Sequence, residues 1–534
     1  MTQNDTDIHE TMKANTALAV SLITGALLIP LTRLPQFLGG HLVPDGDECV
    51  LGIMAKHLME GKALPVFYYG QTYGFSLLEA GTAAVFFRLF GVSAVPLKAA
   101  MLTLWAIGWL FLVLAVRRFT NVRTACITAV VLATCPAWGP WSMKAWGGYI
   151  TAFLMSAVTL WLLGGLCRDT RRSTARCAVL GFCVGLVGLS QPIWLLGVAP
   201  FLVLLVVRRR RGLDLAVILP VAVCTALLVT RLGAREGPIY WSPPLFRHPD
   251  VLGALGLLPY RLWVHLSGAY LMEHRYAAGP MTNVSATLWF VLLVIGAGLQ
   301  IHRWRRGLSF SVGHACAAAV VAVLVFTLPV NHVLFGFRYM LPLSGFVVIL
   351  FSIELDRAWG TNAKRRALVW ATIMLVVVCG TLSSVELGQV SFSGTFVHGK
   401  VSETRALEGL IRYLLDHGYH HVYSVDPMFH WVIMFTSGEQ IAARWVSRTD
   451  RYPAYPLAVD RALFSGGGVA VVGLVHPAGR YSKDLNTFRK DLNKAGLSHL
   501  NPHVVNDLFY VLPNPSIRLI QELTFGPLRF SLNR

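Results

Sequence analysis

Residues Pro44–Ala80 read PDGDECVLGIMAKHLMEGKALPVFYYGQTYGFSLLEA. This acidic, aromatic stretch lies between two apolar runs, 16–36 and 94–116. Residues 1–384 contain 15 acids, and five of them fall between 45 and 79: Asp45, Asp47, Glu48, Glu60 and Glu79. Asp47 reads as the cap of a helix running to about Met59. Its apolar positions Val50, Leu51, Ile53, Met54 and Leu58 are expected on the membrane surface, which would hold the carboxylates at headgroup level. Glu79 opens a second apolar segment, 76–90, where an unpaired charge is costly and implies a partner or a site.

Working outward, the chain has 534 residues, 55% hydrophobic and only 14% charged, with a mean hydropathy of +0.57. A soluble globular protein carries roughly 25% charged residues. Disordered, fibrous and typical cytosolic classes are therefore excluded, and the chain reads as a polytopic membrane protein. The net charge of +19 is unevenly spread. Residues 1–384 hold 31 Lys and Arg against 15 acids, and residues 385–534 hold 15 against 12. The excess sits in short clusters at 117–123, 168–176, 208–211, 303–306 and 357–366, with Asp169 and Asp356 the acids among and beside them. Short loops rich in Lys and Arg are retained on the cytoplasmic side. A nucleic-acid partner would need a basic face on a folded domain, which the pattern lacks.

Apolar runs of the ~17–25 residues that cross a bilayer occur near 16–36, 94–116, 124–141, 149–166, 214–230, 284–300, 308–330, 339–355 and 367–384. The stretch 177–207 reads as two further crossings turning at Ser190-Gln191-Pro192. With Asp47 outside and Arg117–Arg123 inside, 74–116 must cross an odd number of times, so 76–90 is expected to dip in or insert only partly. The reading is a polytopic α-helical membrane protein with about 11–13 transmembrane helices and a C-terminal extracytoplasmic α/β domain. Met1–Asn15 lacks the basic region of a cleaved signal peptide, so the first apolar run is expected to be a retained helix, with the N-terminus in the cytoplasm. Three regions then face out: 37–75, the aromatic loop 231–283, and everything after about 385. A bacterial plasma-membrane location follows. The nine cysteines contain no CxxC pair and none lies in the tail, so neither disulfides nor a cysteine metal site is expected.

The tail, 385–534, has different patterning. Ser402–Gly418 has helical spacing with a Ser start and a Gly stop. His421–Val425, Gln440–Val446, Gly468–Val475 and Val504–Leu512 read as strands, alternating with helical stretches at 428–437, 453–464 and 481–495. No nucleotide-binding motif is present, and Gly466–Gly468 precedes a strand and reads as a turn.

Several polar residues are candidates for chemistry, each with a plainer reading. Asp47 is a general base or only an N-cap, and Asp45 and Glu48 are partners in catalysis or solvated. Glu79 is a second acid, binding a metal or an acceptor, or a structural partner of Arg88 or Lys98. Lys144 (WSMKAWGGY) and Arg338 (FGFRYMLPL) are isolated cations beside outer helix ends, where a phosphate suits them and snorkelling to lipid headgroups is the alternative. Glu273-His274-Arg275 is a solvated turn or a ligand source, while Glu60, His41 and His57 read as surface or interfacial.

Asp47-Glu48, FYYGQTYGFSLLEA (Phe67–Ala80), FRLFGVSAVPLK (Phe87–Lys98), KAWGGY (Lys144–Tyr149), RYMLPL (Arg338–Leu343) and, in the tail, FTSGEQIAA…DRYPAY (Phe435–Tyr455) resemble bacterial GT-C glycosyltransferases. These are relatives of the dolichyl-phosphate-mannose–protein mannosyltransferases and the lipid A aminoarabinose transferase. The resemblance spans nearly the whole chain. It implies an inverting sugar transfer on the extracytoplasmic face, from a polyprenyl-phosphate donor to a hydroxyl of a glycan, lipid or protein acceptor. It places the first-loop acid on Asp47, with Asp45 as the alternative base, and the later acid on Glu79; Arg338 and Lys144 are expected to bind the donor phosphate and Tyr69, Gln71 and Tyr73 to line the substrate. The family's functional histidine has no clear counterpart here, so a divalent metal stays open. The competing reading is a transporter or flippase of lipid-linked substrates, which calls for mid-membrane charges and inverted repeats; the sequence has few of the first and none of the second. A non-catalytic scaffold whose tail binds a partner is a third.

Overall fold

A computed structural model describes residues 3–39, 42–71, 73–169, 173–209, 212–233, 251–268, 279–306, 310–327, 336–388, 403–447, 451–476 and 483–523. His41, Ser402, Glu273-His274-Arg275 and most of the aromatic part of 231–283 lie outside these residues.

Fourteen helices precede the tail: α1 (Gln3–Leu38), α2 (Gly46–Met59), α3 (Leu77–Phe90), α4 (Ala94–Phe119), α5 (Val122–Ala133), α6 (Tyr149–Arg168), α7 (Thr174–Ser190), α8 (Trp194–Arg209), α9 (Gly212–Gly233), α10 (Val251–Ser267), α11 (Pro280–Arg305), α12 (Val312–Thr327), α13 (Leu341–Ala358) and α14 (Ala363–Leu387). Among the described residues, seven helices are long and apolar enough to cross a membrane, in α1, α4, α6, α9, α11, α13 and α14. A bent pair, Val122–Ala133 with Pro136–Met143, adds an eighth, and Thr174–Ser190, Trp194–Arg208 and Val312–Thr327 are shorter apolar helices. Together they coincide with the apolar runs of the sequence. Leu27 and Leu31 on α1, Leu227 and Leu228 on α9, and Leu368 and Trp370 on α14 are exposed, as lipid-facing side chains are in a helix bundle.

The helix α3 is 14 residues, about 21 Å at 1.5 Å per residue, and falls short of the ~30 Å hydrocarbon core. The bend of 54° after α5 follows Pro136 and Pro140, which lack the N–H needed to continue the helix. Arg33 of α1 satisfies the interrupted backbone. Its buried guanidinium donates to the carbonyls of Ala133 and Trp138 and to Ser142 Oγ, and it lies over the Trp105 ring.

In the tail, α15 (Glu403–Asp416), α16 (Phe429–Thr436), α17 (Ala454–Phe464), α18 (Leu485–Lys494) and α19 (Ile517–Leu523) surround a sheet of β1 (His421–Ser424), β2 (Ala442–Trp445), β3 (Val469–Leu474), β4 (His503–Val505) and β5 (Phe509–Pro513). The strand order is β2-β1-β3-β5-β4. The β1–β2 and β1–β3 pairs are parallel and the β3–β5 and β4–β5 pairs antiparallel. The expected single strand Val504–Leu512 is a hairpin. Val505 pairs with Phe509 across a three-residue turn, 506–508, in which Asn506 and Asp507 both take positive φ, 52° and 56°, a backbone that such short polar side chains tolerate.

Alternation along the strands divides the sheet's two faces. Tyr423, Val471 and Tyr510 pack with α17, α18 and α19. Val422, Val472 and Val511 join α15, α16 and the apolar core of the helices in one cluster. The α/β unit is seated on the helices at the end away from the basic clusters. There α16 lies on α2 so closely that a Cβ on Gly52 would come within 2.4 Å of the Phe435 ring.

Contact with α16 corrects the expectation for α2. Val50, Leu51, Ile53 and Met54 are fully buried and do not lie on a membrane surface. Apolar residues surround this helix with no single stripe, as in a helix covered on all sides.

Candidate active site

The first turn of α2 sorts three acids into two environments. Asp45, not Asp47, is the N-cap. Its side chain accepts from the Glu48 N–H at 3.0 Å and the Glu48 carboxylate accepts from the Asp45 N–H at 3.0 Å, forming a reciprocal capping box. Both carboxylates are buried and neutralised by two lysines. Lys144 Nζ donates to Asp45 at 2.7 Å and lies 3.5 Å from Glu48. Lys98 of α4 pairs with Glu48. Trp146 Nε1 donates to Asp45 at 2.8 Å, and the Ala145 N–H donates to Glu48 at 3.1 Å.

Burial alone pushes the Asp45 carboxyl up, but the charge and hydrogen bond of Lys144, helped by Lys98, hold it below the ordinary carboxylate range. Lys144 is correspondingly raised despite its burial. It is therefore not the bare outer cation the sequence suggested, but half of a buried pair.

Asp47 remains at the surface of this cluster, its side chain 23% exposed. The Tyr68 hydroxyl donates to its Oδ1 at 3.0 Å and to its carbonyl at 2.6 Å. From the α/β unit, Arg451 Nη2 lies 2.9 Å from the same Oδ1, with the guanidinium over the Tyr68 ring. Arg338 is placed against the face of Trp146, 5.2 Å from its centroid. The indole thus stands between Arg338 and Asp45. Tyr73 lies in the electrostatic field of Arg338, Arg451 and Asp47.

Glu79 pairs with neither Arg88 nor Lys98. Its carboxylate accepts the N–H groups of Gly148 at 3.0 Å and Thr151 at 2.9 Å, at the start of α6. An anion is stabilised at such an N-terminus. Burial nonetheless pushes its carboxyl up to about 7 against the pull of those hydrogen bonds. The turn it fixes needs its glycines. Gly147 and Gly148 take φ of 44° and 89°, and a Cβ on Gly148 would lie 2.8 Å from the Ser190 carbonyl.

Tyr69 points away from Asp47. Its hydroxyl bonds His57 Nδ1 at 2.9 Å and its ring stacks on Tyr452. His57 Nε2 is 2.9 Å from Glu439, which also pairs with Lys56 and accepts from Tyr455. Burial pushes Glu439 up, yet the bonds from His57, Lys56 and Tyr455 bring it down to about 2. His57 therefore belongs to a latch between α2 and the α/β unit. Gln71 lies in the turn after Tyr68, its N–H bonded to the Tyr68 carbonyl at 3.0 Å.

Sequence reasoning missed Trp146, Tyr68, Arg451 and Glu439, and set Lys98 against Glu79 where the structure pairs it with Glu48. The Asp45-x-x-Glu48 spacing was the available signal for the cap. No set of three His, Cys, Asp or Glu side chains among the described residues is grouped to hold a metal. The acids here do not make a cation seat, since two of the three already face lysine ammonium groups. A cavity of about 440 Å³ lined by Arg123, Asp356, Arg357, Trp359 and Arg366 lies at the opposite end, among the basic clusters, outside this site.

No protein-family model matches the sequence, and no curated protein does. Among solved structures, ArnT from Cupriavidus metallidurans in the apo state is similar with a TM-score of 0.57 and 14% identity, over 97% of this chain and 100% of that one. ArnT from the same organism bound to undecaprenyl phosphate is similar with a TM-score of 0.58 and 15% identity, over 95% and 99%. Likeness over nearly the whole of both chains shows that this chain shares the fold of these two structures.

Proposed function

We propose that the protein is an inverting membrane glycosyltransferase. It moves a sugar from a polyprenyl-phosphate donor to an acceptor hydroxyl at the membrane's extracytoplasmic face. The observation that carries this reading is Asp47: a half-buried carboxylate at a helix start, paired with Arg451, with Arg338 over the nearby Trp146, and backed by a neutralised acid–lysine cluster.

The acceptor O–H gives its proton to Asp47 as its oxygen bonds the anomeric carbon. The bond from that carbon to the donor phosphate breaks on the opposite face, so the configuration inverts. Charge developing on the departing phosphate is met by guanidinium groups already in place, which lowers the barrier. Asp45 and Glu48 serve as positioning residues, because their oxygens are committed to Lys98, Lys144 and backbone N–H groups. Glu79 positions the 144–151 turn that carries Lys144 and Trp146. A lipid-borne donor enters from the side, which accounts for the missing nucleotide motif. ArnT bound to undecaprenyl phosphate has this fold, and that supports a ligand of the same class here.

The test compares cell-envelope glycans of a deletion strain with its parent, then complements with wild type and Asp47→Asn. A sugar lost on deletion, restored by wild type and not by an Asp47→Asn protein present in the membrane at normal level, is the expected outcome. An unchanged envelope, or full restoration by Asp47→Asn, refutes the assignment.

A further inference from the structure

The ion pairs around α2 fall into two kinds. Lys144–Asp45 and Lys98–Glu48 are sealed, with side chains at most 1% exposed. Arg451–Asp47 is open, with side chains 21% and 23% exposed, and it joins the α/β unit to the acid proposed as base. Arg451 Nη2 and the Tyr68 hydroxyl both point at Asp47 Oδ1. An acceptor hydroxyl that reaches this oxygen has to displace one of the two donors.

The chain is pinned at Arg451 and just after it. Tyr452 stacks on Tyr69 with centroids 5.1 Å apart, Tyr455 bonds Glu439, and Gly70 is the only kind of residue that fits against the Arg451 Cβ, which a Cβ at that position would approach to 3.0 Å. Arg338 lies over Trp146, whose indole donates to Asp45, and Arg451 meets Asp47 two residues on, so both guanidiniums lie beside the first turn of α2. A phosphate there matches the arginine fork better than a carboxylate oxygen shared with Tyr68 does.

We propose that Arg451 of the α/β unit exchanges between the Asp47 carboxylate and the phosphate of the polyprenyl-phosphate donor, so that donor arrival releases the base. This rests on the transferase reading and assigns the α/β unit a direct part in it.

The test uses the purified full chain in detergent, with farnesyl phosphate and farnesol as probes in titration calorimetry. Wild type is expected to prefer farnesyl phosphate. Arg451→Gln should weaken that binding about tenfold or more, as for the loss of a charge-assisted hydrogen bond, and Arg451→Lys should keep part of it. Asp47→Asn should tighten phosphate binding, and this gain should vanish in the Arg451→Gln background. An equal gain in both backgrounds reflects only lost repulsion and overturns the exchange. Unchanged affinity in Arg451→Gln overturns it too, while leaving the transferase reading in place. A wild type with no preference for the phosphate overturns both. If Arg451→Gln does not fold, the same coupling is read between Asp47→Asn and Arg451→Lys.

Discussion

Replacing Lys144 by Met separates the structural reading of that lysine from the phosphate-binding one. The buried cluster holds Asp45 and Glu48 against Lys98 and Lys144, two charges of each sign. Lys144→Met leaves one negative charge uncompensated where Asp45 and Glu48 are 1% and 0% exposed. Breaking a buried pair from one side costs about 3–5 kcal/mol. At an unfolding entropy of about 2.1 cal/mol/K per residue, the 534-residue chain should lose about 3–4 °C in Tm. The assay is a heat challenge of the detergent-purified protein, followed by the fraction remaining monodisperse. The double variant Lys144→Met/Asp45→Asn restores charge balance and should recover most of the loss. A single variant that melts like wild type but binds farnesyl phosphate poorly would refute the argument and return Lys144 to the donor site. A double variant worse than the single one would show that packing, not charge, set the loss.

Three further outcomes follow from the same geometry. Glu439 is held near pH 2 by His57, Lys56 and Tyr455, below the ordinary 4.5. Its share of stability is therefore complete above about pH 4.5 and lost as pH falls from there toward 2; Glu439→Gln should flatten that part of a melting-temperature-versus-pH curve. Gly52→Leu drives a side chain into Phe435 and should raise protease sensitivity between the helices and the α/β unit, whereas Gly61→Ala, next to open space, tests strain alone because Gly61 has φ of 69°. Reporter fusions at residues 60, 120 and 400 should read outside, inside and outside, and an inside result at 60 would end the proposed mechanism.

The sequence by itself determined the membrane class, the course of the apolar helices and the alternating α/β pattern of the tail. Each follows from local composition and period, and those act over the twenty or so residues a single element spans. It also drew attention to the 45–79 acids, since charge beside an apolar run is conspicuous wherever the chain folds. It could not rank them. Asp45, Asp47 and Glu48 are neighbours in the chain, and what separates them is Lys98, Lys144, Trp146 and Arg451, brought up from α4, the bend before α6 and the α/β unit. Lys144 looked bare for the same reason: its partner lies 99 positions away. The covered faces of α2 were likewise invisible, because the residues that bury them belong to other elements, α3 and the distant α16. Pairing energies depend on distance and burial, which are properties of the folded chain. Only tertiary structure therefore turned three adjacent acids into two sealed supports and one open carboxylate.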